Sequence, residues 1–319
     1  MKKIASTLLA IFLISICLIS LTGCNVHEIP KKDKLNLDGY NIVFEDNFDG
    51  NSIDYTKWKH NPMKHNNPKL NGIRRACYYT DDMVSVSNGN LNITTKYIND
   101  GSLGTGWYTG WLESSIKNHP DFTNYPNYTG FSSKFGYYEI KCMCPPTIGI
   151  WSAFWLMPDN NIAFSKNDKQ YTAEDGCEID IMESPNYYKG KSYNQHVMHI
   201  DGYDNNHKSD VSPILDVKDM YSNFHTYGMM WSADSLTFYI DGWKTYETKV
   251  VVDNKTFGTP KVNEYMILSV EVGGSFDEQG NLYPGKEKDG SKSWAGNPME
   301  NDLKKEYNFV VDYVKVYQK

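Results

Sequence analysis

Cysteine is scarce in this chain of 319 residues: of the six, Cys17 and Cys24 sit in the N-terminal leader, leaving Cys77, Cys142, Cys144 and Cys177. Their spacing fits no zinc pattern, so a zinc-built fold is excluded. One or two disulfides or free buried thiols remain open; Cys142 and Cys144 would share one side of a strand. Basic excess is also missing. Lys and Arg number 32 against 39 Asp and Glu, net −7, and the cations are dispersed, which argues against a nucleic-acid partner. After the leader there is no low-complexity run, no repeat and no Pro/Ser/Gly-rich linker, so one compact domain is expected. No long stretch keeps a helical period, which disfavours helical folds.

What is present begins with Met1-Lys2-Lys3 and the apolar run Ile4 to Leu21, the n-region and h-region of an export signal. It ends Leu21-Thr22-Gly23-Cys24, similar to the lipobox of bacterial lipoproteins. Residues 1–23 are expected to be the signal peptide, with Cys24 carrying lipid and the only membrane contact through that lipid. A lone transmembrane anchor is the alternative, since the run approaches spanning length. Either way the protein is expected outside the cytoplasm, at the cell surface. Residues 24–39, polar and lysine-rich, read as a flexible tether, with the domain spanning 40–319.

Within the domain, short alternating segments dominate: Val84–Val86, Leu91–Thr95, Tyr137–Lys141, Leu236–Ile240 and Tyr313–Tyr317. Asn88-Gly89-Asn90 and Asp241-Gly242 are hairpin signals between such segments. The pattern predicts an all-β sandwich with Greek-key or jelly-roll wiring. A bent sandwich offers one concave face, and tryptophans lining it would suit sugar rings. Trp107, Trp111, Trp151, Trp155, Trp231 and Trp294 are the candidates, with core packing the alternative for each and favoured for Trp231.

The most informative stretch is Glu178-Ile179-Asp180-Ile181-Met182-Glu183. In a regular strand Glu183 would face away from Glu178 and Asp180. A β-bulge near Ile181 and Met182 restores the phase and sets all three acids on one face, with the isoleucines behind. The outer glutamate Cα atoms would then lie roughly 13 Å apart, and side chains leaning inward could bring the carboxyls to roughly 5–5.5 Å, the separation for retaining glycoside hydrolysis. Crowded acids repel, so one pKa should rise into the range of a general acid. A solvent-facing acidic strand or a calcium site are the plainer readings of the hexapeptide.

Five segments in register carry a family resemblance: Phe44-Glu45-Asp46-Asn47-Phe48-Asp49-Gly50, Gly136-Tyr137-Tyr138-Glu139-Ile140, Gly149-Ile150-Trp151-Ser152-Ala153-Phe154-Trp155-Leu156-Met157-Pro158, the acidic hexapeptide, and Val311-Asp312-Tyr313-Val314-Lys315-Val316-Tyr317. Together they resemble glycoside hydrolase family 16 over about residues 40–319. The resemblance implies a concanavalin-like jelly roll and double-displacement hydrolysis of β-linked polysaccharide with retention. Glu178 takes the place of the nucleophile, Glu183 that of the acid/base and Asp180 that of the helper between them. The inserted Met182 implies the bulged, laminarinase-like subgroup. Trp151 and Trp155 match positions that stack on sugars, and His199, on the neighbouring strand, matches a histidine near the acid/base. His196 would face the other way.

Arg75 and Glu271 depart from the commoner laminarinase pattern; they either reach the sugar or pair with each other. No cofactor is implied for catalysis. A structural calcium is, at Asn47, the Gly89 backbone and Asp312, although an acid is more usual at the first. The expectation is an endo-acting, monomeric glycosidase cutting β-1,3 or mixed β-1,3/1,4 glucan. Alternatives are an endo-β-galactosidase on algal galactan or host glycans, a transglycosylase, and a non-catalytic β-glucan-binding lectin.

Overall fold

A computed structural model describes residues 26–115, 127–159, 172–184, 192–201, 207–300 and 302–319. Cys24, the leader and Gly202-Tyr203 at the end of the His199 segment lie outside the described residues. Two large sheets face each other. In the first, the spatial order is Lys208–Val211, Gln195–Ile200, Glu178–Ser184, Ile150–Pro158, Glu264–Val272, Trp111–Glu113 and Lys59–His60. The second runs Trp243–Thr248, Leu236–Ile240, His225–Trp231, Gly136–Met143, Tyr307–Gln318, Asn90–Gly101, Gly104–Thr109, Cys77–Tyr79 and Ile73–Arg74. Almost every ladder is antiparallel, and the described helices are short 3-10 turns, so the all-β expectation holds.

Period-2 alternation explains which side chains meet between the sheets. In Gly136–Met143, Tyr138, Ile140 and Cys142 enter the core while Tyr137, Glu139 and Lys141 take the outer face. Phe154, Met198, Leu268 and Val270 come from the opposite sheet, and Trp58, Phe238 and Phe309 fill the space with scarcely any exposure. Burying one such side chain contributes about 1.5–3 kcal/mol, so the apolar alternation decides which face turns inward. Both hairpin signals fold as expected: Asn88 and Gly89 (φ 53° and 71°), like Asp241 and Gly242 (51° and 73°), take the left-handed pairs of a tight type I′ turn.

One expectation needs correction and one open alternative closes. The 24–39 stretch is not a free tether where it is described. His27–Glu28 pairs in parallel with Leu215–Asp216, and the Leu35 amide donates to the Gly242 carbonyl at 2.8 Å. Backbone pairing, which needs no apolar pattern, straps it to the sandwich. The thiols are resolved too: Cys77, Cys142, Cys144 and Cys177 are all free and buried.

Candidate active site

The cleft is built on the first sheet, and the acidic strand Glu178–Ser184 lies in it between Ile150–Pro158 and Gln195–Ile200. Against Gln195–Ile200, Asp180 pairs with Val197 but Glu183 with Gln195, three steps on one strand against two on the other. That is the expected bulge. The register against Ile150–Pro158 shifts at the same level, from Phe154 opposite Met182 to Trp155 opposite Asp180. Ile179, Ile181 and Met182 therefore turn into the core, while Glu178, Asp180 and Glu183 line one cleft of about 480 Å³.

Each acid is nearly buried: Glu178 is 8% exposed, Asp180 4% and Glu183 7%. Burial is the largest influence on Glu183, ahead of the neighbouring Glu178 and Glu271 charges, and its pKa is pushed up to about 8. Repulsion, which the sequence suggested, adds to desolvation instead of leading it. Asp180 is raised well above the carboxylate range, again by burial first and then by Glu183, Glu178 and Glu271. Its Oδ2 has no hydrogen-bond donor. At neutral pH Glu183 thus holds a proton and can donate it, as a general acid must.

Every substrate-binding candidate reaches this cleft: Trp151, Trp155, His199, Arg75 and Glu271. Trp155 is fixed by an indole N–H donating to Ser269 Oγ at 3.0 Å and by an edge contact with Trp111 at 5.2 Å between ring centroids. Trp151 stands edge-on to Trp294 at 4.5 Å, under the Arg75 guanidinium at 5.3 Å. Of the alternatives for Arg75 and Glu271 the pairing is present: Arg75 Nε donates to Glu271 Oε2 at 3.1 Å, with both residues lining the cleft. Arg74 grips the other carboxylate oxygen of Glu271. Burial alone would raise Glu271, but the two guanidiniums outweigh it and hold the group below the usual range.

His199 differs from expectation. The antiparallel register sets it opposite Glu178, and its Nε2 lies 3.8 Å from Glu178 Oε1 and 3.6 Å from Asp180 Oδ2, so it stands at the Glu178 end of the row. Its Nδ1 is 2.8 Å from His207 Nε2, and burial, then His207, lowers its pKa to about 4. His196 faces away as expected, buried between the Ile181 carbonyl and Thr245.

Among the other tryptophans, Trp107 is fully buried beside Tyr97 and Tyr307, and Trp231 is buried with its N–H on the Pro260 carbonyl, so neither serves the cleft. Trp111 is a buried support behind Trp155, whereas Trp294, 49% exposed, stands at the rim. Sequence reading missed Arg74, Gln195 and His207 as cleft residues. Arg74 and Gln195 carried a signal, since each neighbours or pairs with a chosen residue. His207 carried none. Arg74 and Arg75 also border a second hollow of about 950 Å³ with Met63, His65, Phe276 and Lys288, which prolongs the cleft.

The residues expected to hold calcium are engaged otherwise. Asn47 and Gly89 flank Asp312 in the topology, where Asn41–Asp46 and Asn90–Gly101 share one edge of Tyr307–Gln318. A register shift opposite Lys141 and Cys142 leaves Asp312 out of the ladder, and its Oδ2 lies 2.6 Å from Lys141 Nζ. Asn47 bonds Glu45, which pairs with Lys315 at 2.8 Å. A lysine already supplies the positive charge, so these residues do not fit the ion.

Curated relatives agree with the geometry. "Glucan endo-1,3-beta-glucosidase A1" of Niallia circulans is 24% identical over 88% of this chain and 38% of its own length. A "Glucan endo-1,3-beta-glucosidase" of Cryptopygus antarcticus is 28% identical over 66% of this chain and 76% of its own. The chain thus spans about two fifths of the first relative. The laminarinase catalytic domain of Thermotoga petrophila RKU-1 superposes with a TM-score of 0.57 at 21% identity, covering 88% of this chain and 98% of that one. At that identity the likeness speaks for the fold. The sequence profile described as "Beta-porphyranase A-D, GH16 domain" matches residues 41–319, and with it the chain belongs to glycoside hydrolase family 16.

Proposed function

We propose that this protein is a retaining, endo-acting glycosidase that hydrolyses β-1,3 or mixed β-1,3/1,4 glucan. The observation that carries the reading is the bulge that gathers Glu178, Asp180 and Glu183 on one wall of a tryptophan-flanked cleft. Glu178 attacks the anomeric carbon while Glu183 gives its proton to the leaving oxygen; Glu183 then draws a proton from water, which releases the glycosyl enzyme. Asp180, protonated, donates to Glu178 and steers it. The glucanase names of the relatives support the polymer, and Met182 at the bulge supports the laminarinase-like subgroup.

A second reading, an endo-β-galactosidase on algal galactan, is favoured by the porphyranase description of the matching profile. The discriminating test incubates the purified chain with laminarin, barley glucan, agarose, porphyran and mucin glycans, following reducing ends beside a Glu178→Gln variant. Release from the glucans that vanishes in the variant upholds the first reading, and release only from galactans replaces it. Binding without release by either protein would leave a lectin.

The leader further supports a surface lipoprotein held through Cys24. Labelling by a clickable fatty acid, present in the wild type and lost in Cys24→Ser, tests that placement.

A further inference from the structure

We infer that the cleft holds a second, inhibitory site: Glu178, Asp180 and His199 form a three-ligand seat for a borderline divalent cation, of which Zn²⁺ is the probe. Their ligand atoms all lie within 4.8 Å of one another, and His199 Nε2 stands 3.6 Å from Asp180 Oδ2 and 3.8 Å from Glu178 Oε1. A tetrahedral ion about 2.0–2.2 Å from each donor needs donors roughly 3.3–3.6 Å apart, so small side-chain adjustments close the seat. The acids alone would not make a site. Two further observations point to a ligand.

Asp180, 4% exposed, turns an Oδ2 without a hydrogen-bond donor toward the imidazole. His207 Nε2 lies 2.8 Å from His199 Nδ1, the far-side partner that fixes the tautomer and ring orientation of metal-binding histidines. With one imidazole and two carboxylates the set favours zinc-like ions over calcium, which takes six to eight oxygens. The fourth position faces the cleft. An ion there ties up the Glu178 carboxylate and blocks its attack, which makes the inhibition, though not the binding, rest on the glycosidase reading.

Calorimetric titration of the full chain with Zn²⁺ tests the seat. One equivalent should bind the wild type and raise its Tm. His199→Ala and the shape-conserving Glu178→Gln should each abolish that isotherm, and His207→Ala should weaken it about 10- to 100-fold. Polymer hydrolysis by the wild type should fall with the same midpoint and return with EDTA. Absence of stoichiometric binding by folded wild type, or binding unchanged in both ligand variants, would overturn the proposal. Bound zinc with undiminished hydrolysis would overturn its inhibitory part. If no polymer is cleaved yet one ion binds through His199, the seat stands and the glycosidase reading falls; cleavage without zinc uptake does the reverse.

Discussion

The two sheets each bury a glutamate to the same depth, and the company each keeps is opposite. On the second sheet Glu139, 8% exposed like Glu178, accepts hydrogen bonds from Tyr137 and Tyr313 at 2.8 Å each. Lys315 stands opposite it in the register, and Tyr137 lies over Gly228, where any Cβ would meet the phenol oxygen at 2.1 Å. Both phenols are raised by burial and by Glu139, which keeps them protonated as donors. On the first sheet Glu178 and Glu183 have other carboxylates as neighbours, and Asp180 keeps a bare oxygen. Burial alone therefore does not mark a functional acid. What marks the cleft acids is that other carboxylates crowd them and raise their proton affinity, where Glu139 is met by two tyrosine donors.

The sharpest way to break this contrast is to remove one acid from each side. Glu178→Gln should lower hydrolysis on the order of 10⁴-fold or more while leaving the denaturation midpoint unchanged or higher. Glu183→Gln should cost about 10²–10⁴-fold on polymer, and much less on an aryl glycoside whose phenolate leaves without a proton. Equal losses on both substrates would remove Glu183 from the acid role. Glu139→Ala should do the converse, leaving kcat near wild type and destabilising the fold by about 1–3 kcal/mol in chemical denaturation, because the buried Tyr137 phenol and the half-buried Tyr313 phenol lose their acceptor.

A smaller effect tests the electrostatics. Catalysis needs Glu183 protonated, so kcat/KM should fall as pH rises past about 8. Glu271 raises that group and Arg75 lowers it, so Glu271→Gln should move the alkaline limb down by roughly one unit and Arg75→Met should move it up. Stability follows the same sign. A folded pKa above the unfolded value of 4.5 contributes stability that is complete below pH 4.5 and is lost as pH climbs toward 8. Thermal melts of Glu183→Gln should show less of that decline between pH 5 and 9 than the wild type.

The difference between the faces was only half legible in the sequence. Three acids among isoleucines announce themselves because side-chain period is local, and the phase error at Glu183 pointed to a bulge before any partner strand was known. Glu139 sat in an equally recognisable segment, but its satisfaction depends on Tyr313, 174 residues away. His207 reaches His199 only through the pairing of Gln195–Ile200 with Lys208–Val211, and Trp107 and Trp111 trade apparent roles through which sheet each strand joins. Periodicity reports faces, whereas long-range register decides neighbours.

Lys141 and Asp312, on the second sheet, offer the mildest test. Family resemblance suggested calcium there because ligand residue types are visible in sequence, while the opposing lysine is brought in by a register shift. Both side chains are about one-third exposed, 36% and 35%, so the pair should contribute no more than about 1 kcal/mol. EDTA should therefore leave the melting temperature of the wild type unchanged. Lys141→Met uncovers the Asp312 carboxylate beside Asn47 and the Gly89 backbone, and added calcium should then raise the melting temperature of the variant but not of the wild type. A wild type that melts earlier in EDTA and recovers with added calcium but not with zinc would return the calcium to the second sheet and make Lys141 a bystander. The same titration sharpens the contrast between faces, because chelation acts on the first sheet through activity in the presence of zinc and on the second through nothing at all.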